Sequence, residues 1–453
     1  LHEKDELGVD FRKGRRSNKQ FTLMSKKVIT ILIFVFCYAL IIFRWRNIPI
    51  ADTTTEARVG VYGDAFSSRN VHSSAMWFKD MGYRKTKGLP VFNYTGNFNQ
   101  TDIEVYTHYP PLPDILGGVY ARILNTKDPY KIAIFPILLS ILFFFLLQIV
   151  LQKILPDPKV AFLSWVLLVI SCYFICWADD LHQHLYTEFL KWLYIYILYR
   201  YFTELKKNWM LPALCGIYFI QSWLTFESIP FLAIITAGFF FIFNKKIITP
   251  ACFLLLSMPV LGFALHFFQN FLYFGNWHDV IADMKGALLK RTIGEMDNEL
   301  GRVVHSYDFL KMWAYECWFR IGRMFSLPAI SFIIIVAFAL KKMYNEQRIH
   351  FKIAIIFFIA GIAWIFVMPQ HAVVHTFTIK HLGVFIAFVS GYGLIQYSHL
   401  LKKHFSKKSV YWKIAHILFI IYTIGGFIYN QGYYVYLKFG FAYPHFGTSA
   451  NLW

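Results

Sequence analysis

Charge is what this sequence has least of. Asp, Glu, Lys and Arg make up 16% of its 453 residues, against about a quarter in an average globular domain. That excludes disordered and ordinary soluble chains. Acids are scarcer than bases, 26 against 45, for a net charge of +19. Cysteine is scarce too. Cys37, Cys172, Cys176, Cys215, Cys252 and Cys317 lie mostly within apolar runs and form no CxxC pair. Neither a disulfide framework nor a cysteine metal motif is built from them, and buried apolar packing is their expected role. No internal repeat is visible.

What is abundant is apolar and aromatic surface, 57% and 20% of the residues, with a mean hydropathy of +0.45. The length alone would allow about three soluble domains. The apolar runs overrule that count, because many are long enough to cross a bilayer. An all-α polytopic membrane protein is expected. The excess of Lys and Arg falls mainly in pairs between apolar runs, which is how membrane proteins fix their orientation. Nothing resembles a nucleic-acid-binding module, and no nucleic-acid partner is expected.

The runs predict about eleven spans, near 28–46, 131–152, 160–178, 187–203, 209–226, 229–243, 248–270, 326–340, 351–368, 379–398 and 411–430. Alternate short connections are basic: Lys26 and Lys27, Lys153 and Lys159, Lys206 and Lys207, Lys245 and Lys246, then Lys341, Lys342 and Arg348, then Lys402, Lys403, Lys407 and Lys408. The connections between them, 179–186, 227–228 and 369–378, are poor in Lys and Arg. The positive-inside rule then puts the N-terminus in the cytoplasm. The long loops at about 47–130 and 271–325 and the tail 432–453 fall outside. A polar segment 1–27 precedes a membrane module 28–270, the loop 271–325 and the helices of 326–431. Residues 1–23 precede Met24 and are expected to be an added extension or a cytoplasmic tail; no cleavable signal is evident. The weak apolar run 111–124, interrupted by Pro113, Asp114 and Gly117–Gly118, is too short to span. It is expected to lie on the outer membrane surface.

On this topology the unusual polar residues gather on one face. The first outer loop gives Asp64 and His108, and the next connection Asp179, Asp180, His182, His184 and Glu188. After the ninth span come His371, His375, Lys380 and His381, and the long second loop adds Lys285, Lys290, Arg291, Arg302, Arg320 and Arg323. Carboxylates, imidazoles and cations at one surface point to acid–base chemistry on an anionic substrate. Each also has a plainer role. Asp64 can be a solvated loop residue. Asp179 and Asp180 precede a helix and can cap it. Glu188 either acts within the membrane or faces a polar cavity. His182 and His184, with Asp179, could ligate a divalent metal, but only in a looped segment, because i and i+2 diverge on a helix. Lys380 can snorkel to the headgroups. In Tyr106-Thr107-His108-Tyr109-Pro110-Pro111-Leu112-Pro113 the prolines stiffen the chain after His108, for function or as a structural turn alone.

At these residues the chain resembles the GT-C glycosyltransferases, and within them the protein O-mannosyltransferase and aminoarabinose lipid A transferase lineage. The architecture compares over most of the chain. The local motifs are limited to about 60–70, 104–124 and 178–200. The resemblance implies an inverting transfer from a polyprenyl-phosphate sugar to a hydroxyl of a glycan, lipid or protein acceptor. It implies Asp64 as general base and His108, with Tyr106 beside it, at the donor. Lys380, Arg291 or other cations of the 271–325 loop would meet the phosphate. His375, Asp180 and Glu188 would line the donor or acceptor site, with a metal if one is used. Departures are plain: Asp64 is followed by Ala65 where many relatives have a second acid, which leaves Asp52 or Asp80 as further candidates for the base. The tail after 431 is short, so acceptor recognition falls to the membrane module and its loops. The absence of a Trp-Trp-Asp string argues against an oligosaccharyltransferase. The other readings are a transporter or flippase of lipid-linked or anionic solutes, and a membrane acyltransferase or hydrolase using His182 or His184. The expected location is a bacterial inner or plasma membrane, among lipids, with the active site on the outer face.

Overall fold

A computed structural model describes residues 19–47, 65–204, 208–244, 246–292, 307–405 and 410–438. Among these the regular elements are all helices, residues 82–111 are irregular, and the one strand-like contact is an antiparallel bridge between Val91 and Val105. In chain order the helices begin with α1 (Lys19–Asn47), α2 (Ala65–Met81), α3 (Leu112–Ile123), α4 (Pro129–Ile132), α5 (Ile134–Ile154) and α6 (Pro158–Val169). They continue with α7 (Cys172–Ile175), α8 (Gln183–Thr203), α9 (Met210–Leu224), α10 (Ser228–Asn244), α11 (Pro250–Phe274) and α12 (Trp277–Thr292). The last are α13 (Tyr307–Phe325), α14 (Ala329–Glu346), α15 (Arg348–Val367), α16 (Pro369–Val374), α17 (Gly383–Phe405) and α18 (Val410–Lys438). A 3-10 turn, Thr376–Leu382, leads into α17.

Among the described residues six helical stretches are long and apolar enough to cross a membrane, or seven if the bent pair α13–α14 counts as one span. The chain is therefore an integral membrane protein in its architecture. The apolar run 160–178 is not one helix. It breaks after Val169 and resumes briefly in α7, where Ser171 bonds back to the Leu168 carbonyl. A serine hydroxyl that competes for backbone carbonyls favours such a break.

The centre of the bundle is α17, whose apolar stretch is nearly all buried against α6, α14 and α15. Glycine makes that position possible. A Cβ on Gly391 would stand 2.2 Å from the Val160 carbonyl oxygen, and one on Gly393 2.2 Å from that of Ile335. Small residues at helix crossings let backbones approach closely where no water drives association. The periphery is the reverse. On α18, Leu418, Ile421 and Ile428 are exposed, the surface expected of a helix facing lipid.

Residues 65–124 form a separate small layer. The surface helix α3 lies against α2, with Gly117 facing Val71 and Ala75, and Gly118 facing Phe78 and Tyr83. The two glycines that interrupt the run 111–124 are thus its contact points. A smaller core of Trp77, Phe78, Val91 and Tyr94 holds the layer together.

Candidate functional site

One cavity of about 780 Å3 lies between this layer and one end of the bundle. Its walls come from five places: α2 with the 90–114 stretch, the start of α8, Glu227 between α9 and α10, α12, and the α16 region through Phe377. Every lining residue falls in one of the five segments that the charge pattern assigns to a single side of the membrane. The basic connections contribute none.

Of the residues singled out from sequence, Tyr106, His108, His182, His371 and His375 line the cavity. His108 is held in place. Its Nε2 lies 2.9 Å from Asp283 Oδ1 on α12, and Thr107 donates its hydroxyl to Asp283 Oδ2 at 2.7 Å. The Thr107 carbonyl is in turn bonded by His266 Nε2 at 2.8 Å and by the Asn270 amide at 2.9 Å. The prolines that follow leave little freedom to this strand, so the motif presents a carboxylate-anchored imidazole to the cavity.

Tyr109 carries the wall onward. Phe92 and Tyr106 stack at 4.3 Å, Tyr106 and Tyr109 lie parallel at 6.2 Å, and Tyr109 faces Phe226 at 6.3 Å. The Tyr109 hydroxyl meets His371 Nε2 at 2.8 Å, while Trp364 donates its indole N–H to His371 Nδ1 at 3.1 Å. An indole can only donate. His371 therefore accepts at Nδ1 and carries its proton on Nε2.

Glu227 joins the cavity to a buried ionic cluster. Gln183 donates to its Oε1 at 3.2 Å, and the Nε2 atoms of His371 and His381 stand 3.8 and 3.6 Å from its carboxylate. Behind it, Lys191 donates to His381 Nδ1 at 3.0 Å and to Glu188 Oε1 at 2.5 Å. Glu188 also accepts from the Tyr173 hydroxyl, and Lys380 pairs with His184 Nδ1. All of these side chains are buried. The polar atoms of this cluster meet one another, as buried charges must.

The remaining expectations sort as follows. Glu188, Lys380 and His184 belong to the buried cluster and do not line the cavity. Asp179 is buried beside them in sequence. Asp180 is not a helix cap: it accepts from Ser68 of α2 at 2.6 Å and from the His182 amide at 3.3 Å, and His182 itself precedes the first turn of α8. Its short side chain ties the outer layer to the bundle. Among the described residues no group of three His, Cys, Asp or Glu side chains is arranged to hold a metal, so His182, His184 and Asp179 are not brought together as ligands. Asp64 and Asp52 lie outside the described residues, as do Arg302 and the side chains of Lys290 and Arg291. Asp80 is paired with Lys127 at 2.5 Å and accepts from Tyr94 at 2.8 Å, away from the cavity. Arg320 donates to the carbonyls of Ala372, Val373 and His375, closing the C-terminal end of α16, a place where a cation also suits the helix dipole.

Four lining carboxylates were not anticipated as site residues: Glu104, Asp114, Glu227 and Asp283. Asp114 is buried, and that burial pushes its carboxyl up to about 7, with the Ser74 hydroxyl pulling back in part. A carboxylic acid poised near neutrality in a cavity is a recurring mark of function. Glu227 had a visible signal, being the only charged residue in 209–244, and a lone charge in an apolar stretch calls for a role. No protein-family model matches the chain, and no curated protein matches it.

Proposed function

We propose that this protein is a GT-C-type membrane glycosyltransferase. It spans the bilayer about eleven times, with a cytoplasmic N-terminus, and moves a sugar from a polyprenyl-phosphate donor to a hydroxyl acceptor on the outer face of a bacterial inner or plasma membrane. The observation that carries this reading is the cavity, whose whole lining comes from the segments that the charge rule puts outside. Its volume lies in the usual range for small-ligand sites. Imidazoles and carboxylates line it, as proton transfer requires.

In the reaction the acceptor oxygen attacks the anomeric carbon, and the bond from that carbon to the phosphate oxygen breaks, with inversion. The electron pair leaves on the lipid phosphate. The resemblance gives the acceptor proton to Asp64, which stands three residues before the lining residue Ser67 in the chain. His108, fixed by Asp283, orients the donor. The lining itself contains no Lys or Arg. The phosphate is therefore assigned to Lys290 and Arg291, which follow the lining residues Gly286 and Ala287 in the chain. Cations there would stabilise the leaving group.

The test is transfer by purified protein from a panel of polyprenyl-phosphate sugars, with water and simple glycans as acceptors, with and without divalent metal. Wild type should release polyprenyl phosphate, and Asp64→Asn should be slower by roughly 10²–10⁴-fold. Equal rates would move the base elsewhere. No turnover with any donor would sink the enzyme reading. A second reading, a transporter of lipid-linked or anionic solutes, is favoured by the Glu188–Lys191–His381 cluster, since ionisable residues within apolar helices mark ion pathways. Flux into liposomes would then be the measurement.

A further inference from the structure

Asp114 sits on α3, three residues past the Pro-Pro pair of the His108 motif, and lines the cavity while being 5% exposed. Its Oδ1 has no hydrogen-bond partner, since the neighbouring Ser74 hydroxyl donates to the Asn70 and Val91 carbonyls. An unpaired buried acceptor costs free energy, and such atoms are retained where a ligand supplies the missing donor. Of the other lining carboxylates, Asp283 holds His108 and Thr107, Glu227 accepts from Gln183, and Glu104 is exposed to solvent. A carboxylate-rich lining without Lys or Arg disfavours an anionic group inside. On the opposite account, Phe92, Tyr106 and Tyr109 offer flat apolar faces in the same cavity. A group with both hydroxyl donors and an apolar face fits this combination; a sugar ring has both.

We infer that the cavity seats the sugar ring of the substrate, with the Asp114 carboxylate accepting a hydrogen bond from one of its hydroxyls. This assignment rests on the glycosyl-transfer reading for the ligand's class, but it concerns binding and not the chemical step. The carboxyl's rise to about 7 follows from the same burial.

The experiment compares wild type with Asp114→Asn and Asp114→Leu in detergent. Binding is read by tryptophan fluorescence with polyprenyl-phosphate sugars and free monosaccharides, and melting temperature is read without ligand. Asp114→Leu should bind roughly ten- to hundredfold more weakly, the scale for a lost hydrogen bond to a charged group, with Asp114→Asn between it and wild type. Both variants should melt at or above the wild-type temperature at pH 8. Unchanged binding in stable variants overturns the assignment. Variants that melt lower or do not fold also overturn it, because Asp114 is then a structural residue. Lost binding in the variants of a wild-type protein that shows no transfer keeps the assignment and discards the transferase. Absence of sugar binding by wild type discards both.

Discussion

The cavity and the ionic cluster behind it are made of the same residue types and behave oppositely. In the cluster, Glu188, Lys191, His381, Lys380 and His184 meet one another within apolar helices. Their charges are largely spent on mutual contacts, and such a set serves to specify the packing of α8 against the 3-10 turn. In the cavity wall, His108 is anchored by Asp283, and Asp114 is buried with its Oδ1 unpaired. The difference is one of supply. The cluster draws its members from two neighbouring segments, α8 and the 3-10 turn, close enough for its charges to meet. The cavity is assembled from five segments, and in it Asp114 Oδ1 is left without a hydrogen-bond partner. Glu227 belongs to both, which makes it the point where occupancy of the cavity can be felt in the bundle.

That contrast can be broken most forcefully from the cluster side. Glu188→Ala leaves the Lys191 ammonium buried beside His381 and should cost about 3–5 kcal/mol, read as a fall in thermal stability in detergent. Glu188→Gln combined with Lys191→Met should recover most of the loss. A single variant as stable as wild type would mean that the cluster is not held by charge.

On the cavity side the expected sign is reversed. Burial raises the Asp114 carboxyl to about 7 from its ordinary value near 4, so the folded protein binds this proton more tightly than the unfolded chain. The contribution is complete below about pH 4 and is lost as pH climbs to about 7, after which it is level. Asp114→Asn should therefore be more stable than wild type by about 1–3 kcal/mol at pH 8, after the cost of burying its amide, with little gain at pH 4. Thermal melts at the two pH values check this, and a destabilised Asn variant at pH 8 would contradict it.

Gly118→Ala tests whether the outer layer is what shapes the cavity. The added Cβ would stand 2.7 Å from Phe78 Cβ and 2.8 Å from the Tyr83 hydroxyl. Overpacking of this kind costs about 1–3 kcal/mol, and ligand binding should weaken with it. Limited proteolysis of the 65–124 layer would show the loosening. The smallest effect belongs to an exposed pair outside both regions. Glu204 accepts from Arg200 at 2.7 Å and pairs with Lys153, which holds its carboxyl below the ordinary range. Glu204→Gln should change stability by less than about 1 kcal/mol and leave binding alone. A larger loss would place a structural ion pair where the contrast has none.

Much of the architecture was legible because its signal is local. A run of twenty apolar residues has few options in lipid other than a helix. The shortness of α3 was also readable, since Pro113 and Asp114 limit an apolar run already too short to span. The break at Val169 was hidden, because Ser171 acts through a backbone carbonyl and leaves the apolar composition untouched. The motif around His108 was found through its prolines. Its partner Asp283 was not, because the two lie 175 positions apart and no periodicity links them. Arg320 and Lys380 were expected at the substrate from their charge alone, yet one closes α16 and the other pairs with His184.

By itself, then, the sequence determined that this chain is helical and membrane-embedded, and which connections carry its charge. These follow from hydropathy and charge order, which are sums over neighbours in the chain. Only the tertiary structure decided which of the scattered His, Asp, Glu and Lys side chains satisfy one another and which are left facing a cavity. That choice depends on distances between segments far apart in sequence, and on whether a buried polar atom finds its partner within the fold or must wait for a ligand.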